Sequence, residues 1–220
     1  MNMFQKCTLL IVLSLLLAST PFALGESVPI PAVSDRMLGN DSTDPKEHDT
    51  GTTAWPDSDG RFSVGDNYVE REGKVTVHEW RGVMIFEIAG YTAEIKTAPR
   101  VTLQLTVAET MGDPYDLILA HLTEGHDGEV KISDYHADAK PVGDTIRAAG
   151  LRAGDVLTFD VTEQVRSDLR TGVSLFRVQV EDAAECPNGN KMIDAVKFYD
   201  ASSGKNNPEL APQLIVEIKE

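Results

Sequence analysis

Cysteine is nearly absent from this chain. The 220 residues hold two, Cys7 and Cys186, and Cys7 lies in an N-terminal segment that reads as removed on export. One remaining thiol closes no internal disulfide, so the fold must stand on core packing. Nothing near Cys186 is arranged to activate it, and it reads as a half-buried bystander. Positive charge is also scarce. Lys and Arg number 20 against 35 Asp and Glu, a net charge of −15. A surface this acidic repels phosphate backbones and anionic lipid faces, which excludes general nucleic-acid binding. Aromatic residues make up only 6%, thin for a dedicated glycan binder. Catalytic signatures are missing too: there is no G-x-S-x-G, H-E-x-x-H or C-x-x-C, and no Gly-rich phosphate loop. Nothing nominates a pair of carboxylates flanking a cleft, as a glycosidase would need. The sequence therefore points away from an enzyme.

Long apolar runs are missing with one exception. Lys6 supplies positive charge, an apolar run follows from Leu9 to Leu17, and Ala23-Leu24-Gly25 closes it with small residues. This pattern predicts a signal peptide over residues 1–25, cleaved after Gly25. The run is shorter than the roughly 20 residues a membrane-spanning helix needs. Cys7 precedes the run, whereas a lipoprotein cysteine would follow it. The expectation is a secreted protein (extracellular, periplasmic or at the cell surface) with no membrane span in the mature chain, acting as a monomer.

What is present is short-range alternation. Val101, Leu103, Leu105 and Val107 alternate with Thr102, Gln104 and Thr106, which predicts a strand with one buried face. Gly82 to Ile88 places Met84, Phe86 and Ile88 on one face and Val83 and Ile85 on the other, so it reads as a central strand. Further strand candidates are Val75 to Trp80, Asp116 to Leu122, Glu129 to Ile132, Val142 to Arg147, Asp155 to Asp160, Val173 to Val180, Ala195 to Phe198 and Gln213 to Ile218. Turn residues such as Gly112-Asp113-Pro114 and Ser203-Gly204 separate them. Many short strands spaced by turn signals indicate an all-β sandwich or barrel. One helix interrupts. Val161, Val165 and Leu169 form a stripe, Asp160 and Glu163 have capping-box spacing, and Gly172 is placed to end it. Residues 26–54 are rich in Ser, Thr, Asp, Pro and Gly, and predict a disordered acidic linker ahead of a sandwich domain over 55–220. Asn40-Asp41-Ser42 is a glycosylation sequon within that stretch.

Several segments, in order, resemble known text. Arg81-Gly82-Val83-Met84-Ile85-Phe86-Glu87-Ile88 is similar to the R-x-x-x-x-F-D-[IL] segment of secreted DNRLRE-type domains. Pro99 to Leu105 resembles their A-x-[LV]-x-L-x-L strand. Gly125-His126-Asp127-Gly128 with Asp134-Tyr135 resembles a G-x-D-G…D-[YF] segment. Phe159-Asp160-Val161-Thr162 resembles F-D-V-T, and Phe198 to Ser202 with Pro212 to Val216 resembles the F-x-S…P-x-L-x-[VI] ending. The resemblance spans about residues 62–218 and implies a jelly-roll-like antiparallel β-sandwich. Some members of that carbohydrate-binding-module-like family attach to polysaccharide-degrading enzymes, and others are free-standing surface or matrix proteins.

The candidate site residues follow from that reading. Sugar binding needs aromatic faces plus polar groups that orient the ring. Trp80, beside Arg81 at the start of a central strand, and Tyr135 with His136, beyond a hairpin, are the ligand-binding candidates. No cofactor is expected, although a secreted acidic sandwich offers hard oxygen donors for a structural calcium. Asp127 and Asp134 fall at positions 5 and 12 of a calcium-like loop over Thr123 to Asp134, but Thr123 and Gly125 stand where positions 1 and 3 require oxygen ligands. The segment reads better as a turn at Asp127-Gly128. His121, His126 and His136 lie close in sequence, yet zinc needs at least three converging donors, and exposed loop histidines are the plainer reading. Three functions compete: a non-catalytic glycan binder, a structural or surface interaction protein, and a secreted hydrolase or lyase. The partner is then a polysaccharide or a surface protein. Exposure of Trp80 and Tyr135 separates the first from the second, and a convergent acid or histidine cluster in a cleft would favour the third.

Overall fold

Alternation in the central segments becomes strand pairing. A computed structural model describes residues 26–42, 52–55, 59–124, 128–183 and 192–219. In chain order the strands are β1 (Ser27–Ser42), β2 (Thr52–Trp55), β3 (Arg61–Arg71), β4 (Lys74–Glu87), β5 (Val101–Met111), β6 (Leu117–Leu122), β7 (Ala139–Pro141), β8 (Val156–Asp160), β9 (Leu175–Asp182), β10 (Ile193–Tyr199) and β11 (Gln213–Glu217). A short helix α1 (Thr92–Thr97) follows β4, and α2 (Thr162–Arg170) joins β8 to β9. Every strand pairing is antiparallel. The architecture is the expected all-β sandwich. No helix among the described residues is long and apolar enough to cross a membrane.

Two long strands serve both layers. In β1, Ser27–Pro31 pair with β11, and Ala32–Ser42 pair with β4 across a register shift between Ala32 and Ser34. In β5, the first half pairs with β11 and β8, and the second half pairs with β10. A bulge bends a strand and raises its local twist, which lets one strand pass from one sheet to the next. β9, β6 and β7 then extend the larger sheet from the far half of β4.

The core lies between the layers. Val101, Leu103, Leu105 and Val107 are fully buried there, as their alternation predicts. Met84, Phe86 and Ile88 face the same core, while Val83 and Ile85 join a second, smaller cluster on the opposite face with Leu38, Leu122, Val130 and Tyr135. β4 is thus a central strand buried on both faces. Gly82 is required where β4 passes Phe62, because a Cβ there would lie 2.3 Å from the Phe62 ring.

Four expectations change. Residues 27–42 are not a linker: they form β1 and pair with three other strands. Pro29 and Pro31 disguise it, but they sit in the half that pairs only with β11, an edge position that tolerates a missing donor. Asn40 of the sequon is 2% exposed, so the folded strand leaves no room for a glycan. Glu129 to Ile132 forms no strand, and Ile132–His136 is instead a 3-10 turn; Val142 to Arg147 forms only an isolated bridge, Ile146 to Leu117, just after β7. Val75 to Trp80 and Gly82 to Ile88 are one continuous strand, β4. Cys186 lies outside the described residues.

Candidate functional site

The apolar stripe of α2 fixes the site. Val161 and Val165 are fully buried, and Leu169 packs against the same core. That anchoring turns Glu163, Gln164, Ser167, Arg170 and Thr171 away from the core. Gly172, at φ 82, ends the helix, and Val173 N–H donates to the Asp168 carbonyl at 2.9 Å. The N-terminus differs from the capping-box reading. Asp160 accepts from Thr162 N–H at 3.1 Å and Thr162 Oγ1 at 2.6 Å, and Glu163 pairs with Arg166 instead. Burial pushes the Asp160 carboxyl up, but the Thr162 bonds and the Arg100 guanidinium outweigh it and hold the group below its ordinary value.

Between α2 and the end of β6 lies a cleft of about 470 Å³, within the range of about 300–1,000 Å³ common for ligand sites. His121 and Asp168 form its wall, with Nε2 and Oδ2 3.0 Å apart and both side chains mostly buried. The imidazole stacks on Phe176 at a centroid distance of 5.2 Å. Lys140, opposite His121 in the β6–β7 register, lines the cleft with Thr123, Gln164, Ser167, Arg170 and Thr171. Asp168 is the only hydrogen-bond partner of the His121 ring among the described residues. No hydroxyl or thiol is hydrogen-bonded to the ring there, so the nucleophile–base contact of covalent catalysis is not formed. The dyad instead pins α2 onto the sheet and shapes the cleft.

The residues expected to bind ligand do not share one exposed site. Tyr135 is 2% exposed and lies beneath Arg81, whose guanidinium sits 4.2 Å from the ring centroid. Burial pushes the Tyr135 hydroxyl well above its ordinary value; Arg81 opposes this and Glu79 adds to it. Neighbouring strand residues point to opposite faces, so Trp80 projects away from the Arg81–Tyr135 stack. Trp80 is half-buried, and its Nε1 is buried with no hydrogen-bond partner among the described residues. His136 is exposed and meets Tyr135 edge-on at 4.9 Å.

The metal candidates resolve differently. Asp127 and His126 lie outside the described residues. Asp134 is consumed: it accepts from Lys131 N–H at 2.7 Å and from the buried Arg177 guanidinium at 2.5 Å. Among the described residues no group of three His, Cys, Asp or Glu side chains converges to hold a metal. Arg177 also donates to the Glu124 and Glu129 carbonyls, so it clamps the segment that the calcium-loop reading singled out.

A further acidic group was not anticipated. Glu79 of β4, Asp66 of β3 and Asp194 of β10 occupy successive register positions, and all are buried. Burial pushes the Asp66 carboxyl up to about 7, with the charges of Asp194 and Glu79 adding to the shift. Pairwise register across three strands is invisible before the topology is known. Asp168 had a weak local signal, since it adjoins the apolar stripe. Arg177 had one as well, a lone cation amid the apolar residues of β9.

No protein-family model matches the chain, and no curated protein matches it.

Proposed function

We propose that this is a secreted, non-catalytic β-sandwich protein that binds a segment of extracellular or cell-wall polysaccharide in the cleft between β6 and α2. The composition of that cleft carries the reading. Lys140, Arg170 and Gln164 supply donors, Glu163 supplies an acceptor, and Ser167, Thr123 and Thr171 supply hydroxyls. Vicinal sugar hydroxyls need both donors and acceptors. The two cations also balance Glu163 and Asp168, so the cleft escapes the acid excess of the whole chain. The resemblance to DNRLRE-type domains supports the same ligand class, with recognition resting on polar side chains in place of Tyr135. A second reading, an interaction protein without a glycan site, gains support from Tyr135 being spent inside the fold.

Retention of the protein on a polysaccharide panel tests the proposal. Arg170→Ala with Lys140→Ala should weaken binding about 10–100-fold, the value of charge-assisted hydrogen bonds, while His136→Ala should leave it unchanged. Retention insensitive to the double substitution, or no retention on any glycan, would favour the interaction-protein reading.

A further inference from the structure

We propose that Asp35 and Asp200 form a calcium site that clasps β1 to the turn after β10. Asp200 is 1% exposed. Its Oδ1 accepts from Ser202 Oγ at 2.7 Å and Ser203 N–H at 2.9 Å. Its Oδ2 is buried and has no hydrogen-bond partner among the described residues. A buried carboxylate oxygen with neither donor nor cation is costly, so this atom is placed to take a cation or a donated proton. Asp35 reaches the same turn and feels the Asp200 charge: one Asp35 oxygen accepts from Ala201 N–H at 2.7 Å, and the other makes no hydrogen bond among the described residues. No Lys, Arg or His there pairs with either carboxylate.

The surroundings specify the cation class. Beside Asp200 the Gly60 carbonyl accepts from Ser203 Oγ and from the Asp200 N–H, and Ser202 Oγ donates to Asp200 Oδ1, so the oxygens left to face a cation are those of the two carboxylates. Carboxylate oxygens completed by water suit calcium, which takes six to eight oxygens and tolerates irregular geometry, rather than zinc, which favours nitrogen and sulfur ligands. Two carboxylates with water completing the shell place the affinity near the weak end, about 10⁻⁴–10⁻³ M, the range of extracellular modules. Burial pushes the Asp35 carboxyl up to about 7 against the Ala201 bond, with the Asp200 charge adding. The clasp joins residues far apart in sequence, which makes it a fastener for the N-terminal strand.

Thermal unfolding of the full chain near pH 8, in chelator and then in rising calcium, tests this. About 10 mM calcium should raise Tm by about 3–6 °C, and magnesium should do less. Asp35→Asn should abolish the calcium response. Its Tm in chelator should match or exceed that of the unsubstituted chain, because an amide can donate to Asp200 Oδ2. Asp200→Asn should also abolish the response. A Tm indifferent to calcium overturns the proposal. So does a Tm that rises only on acidification, which would identify a shared proton in place of the ion. A calcium shift that survives in Asp35→Asn places the ion elsewhere and overturns it as well.

Discussion

The two faces of β4 are covered by different means. On the inner face, Met84 and Phe86 meet Phe176, Val178 and other apolar residues from both sheets. On the outer face, Val83 and Ile85 are covered by residues 128–139, which bring only Val130 and Tyr135 as buried apolar cover. Buried charge supplies the rest. Arg177, 1% exposed, binds Asp134 and two loop carbonyls, and Arg81 binds Glu79, Glu181 and the Tyr135 carbonyl. The difference teaches that a face packed by a sheet is secured by area, whereas a face packed by irregular chain is secured at points. Area tolerates the loss of a methylene. A point contact made by a buried ion does not tolerate the loss of its partner.

The sharpest way to break this contrast is Arg177→Ala. It strands Asp134 in the interior and should cost about 3–5 kcal/mol, read by urea unfolding. Hydrogen exchange should show that the loss falls first on residues 128–139. Pairing Arg177→Met with Asp134→Leu should recover most of that stability, since apolar residues can replace a buried ion pair at little cost. Leu103→Ala in the inner core should cost about 2–5 kcal/mol, but with exchange accelerated throughout the sandwich. If both variants open the same amides, the two faces are one cooperative unit and the contrast fails.

His121→Ala should cost about 1–3 kcal/mol by leaving Asp168 without its partner, and should loosen α2 before the strands. Helix amides that remain as protected as before would show that the Val161–Val165–Leu169 stripe holds α2 unaided. A last way to sharpen the comparison is the pH dependence of Asp66. Its carboxyl is raised from 3.8 to about 7 in the folded state, so the folded chain binds more protons than the unfolded chain between those values. Stability should therefore be greatest below about pH 4 for this group, and should fall as pH rises to about 7. Asp66→Asn should flatten that part of a pH series of urea midpoints.

Legibility in the sequence tracked this division. β5 was plain because Val101 to Val107 alternate strictly, and β4 was plain because both of its faces are apolar. The α2 stripe and its end at Gly172 were equally readable, since both depend on local spacing. β1 was not, because Pro29, Pro31, Ser34 and Asp35 resemble linker composition, and only pairing with β11 and β4 supplies their hydrogen bonds. Within the cleft, His121 was noticed as a histidine but not as the partner of Asp168. Those residues are 47 positions apart, and no local pattern links a strand end to a helix face. Tyr135 read as a loop aromatic because nothing nearby announced that Arg81 would cover it.

The sequence by itself determined the sandwich class, the inward faces of the central strands and the place of α2, because each is a periodicity or turn preference that a few neighbouring residues carry. Only the tertiary structure decided the rest: that β1 belongs to both layers, that Arg177 meets Asp134, that Asp35 meets the turn at Ala201, and that the polar face of α2 encloses a cleft with His121. Those contacts join groups whose environments are set by burial and by strand register, and neither quantity exists until the whole chain has folded.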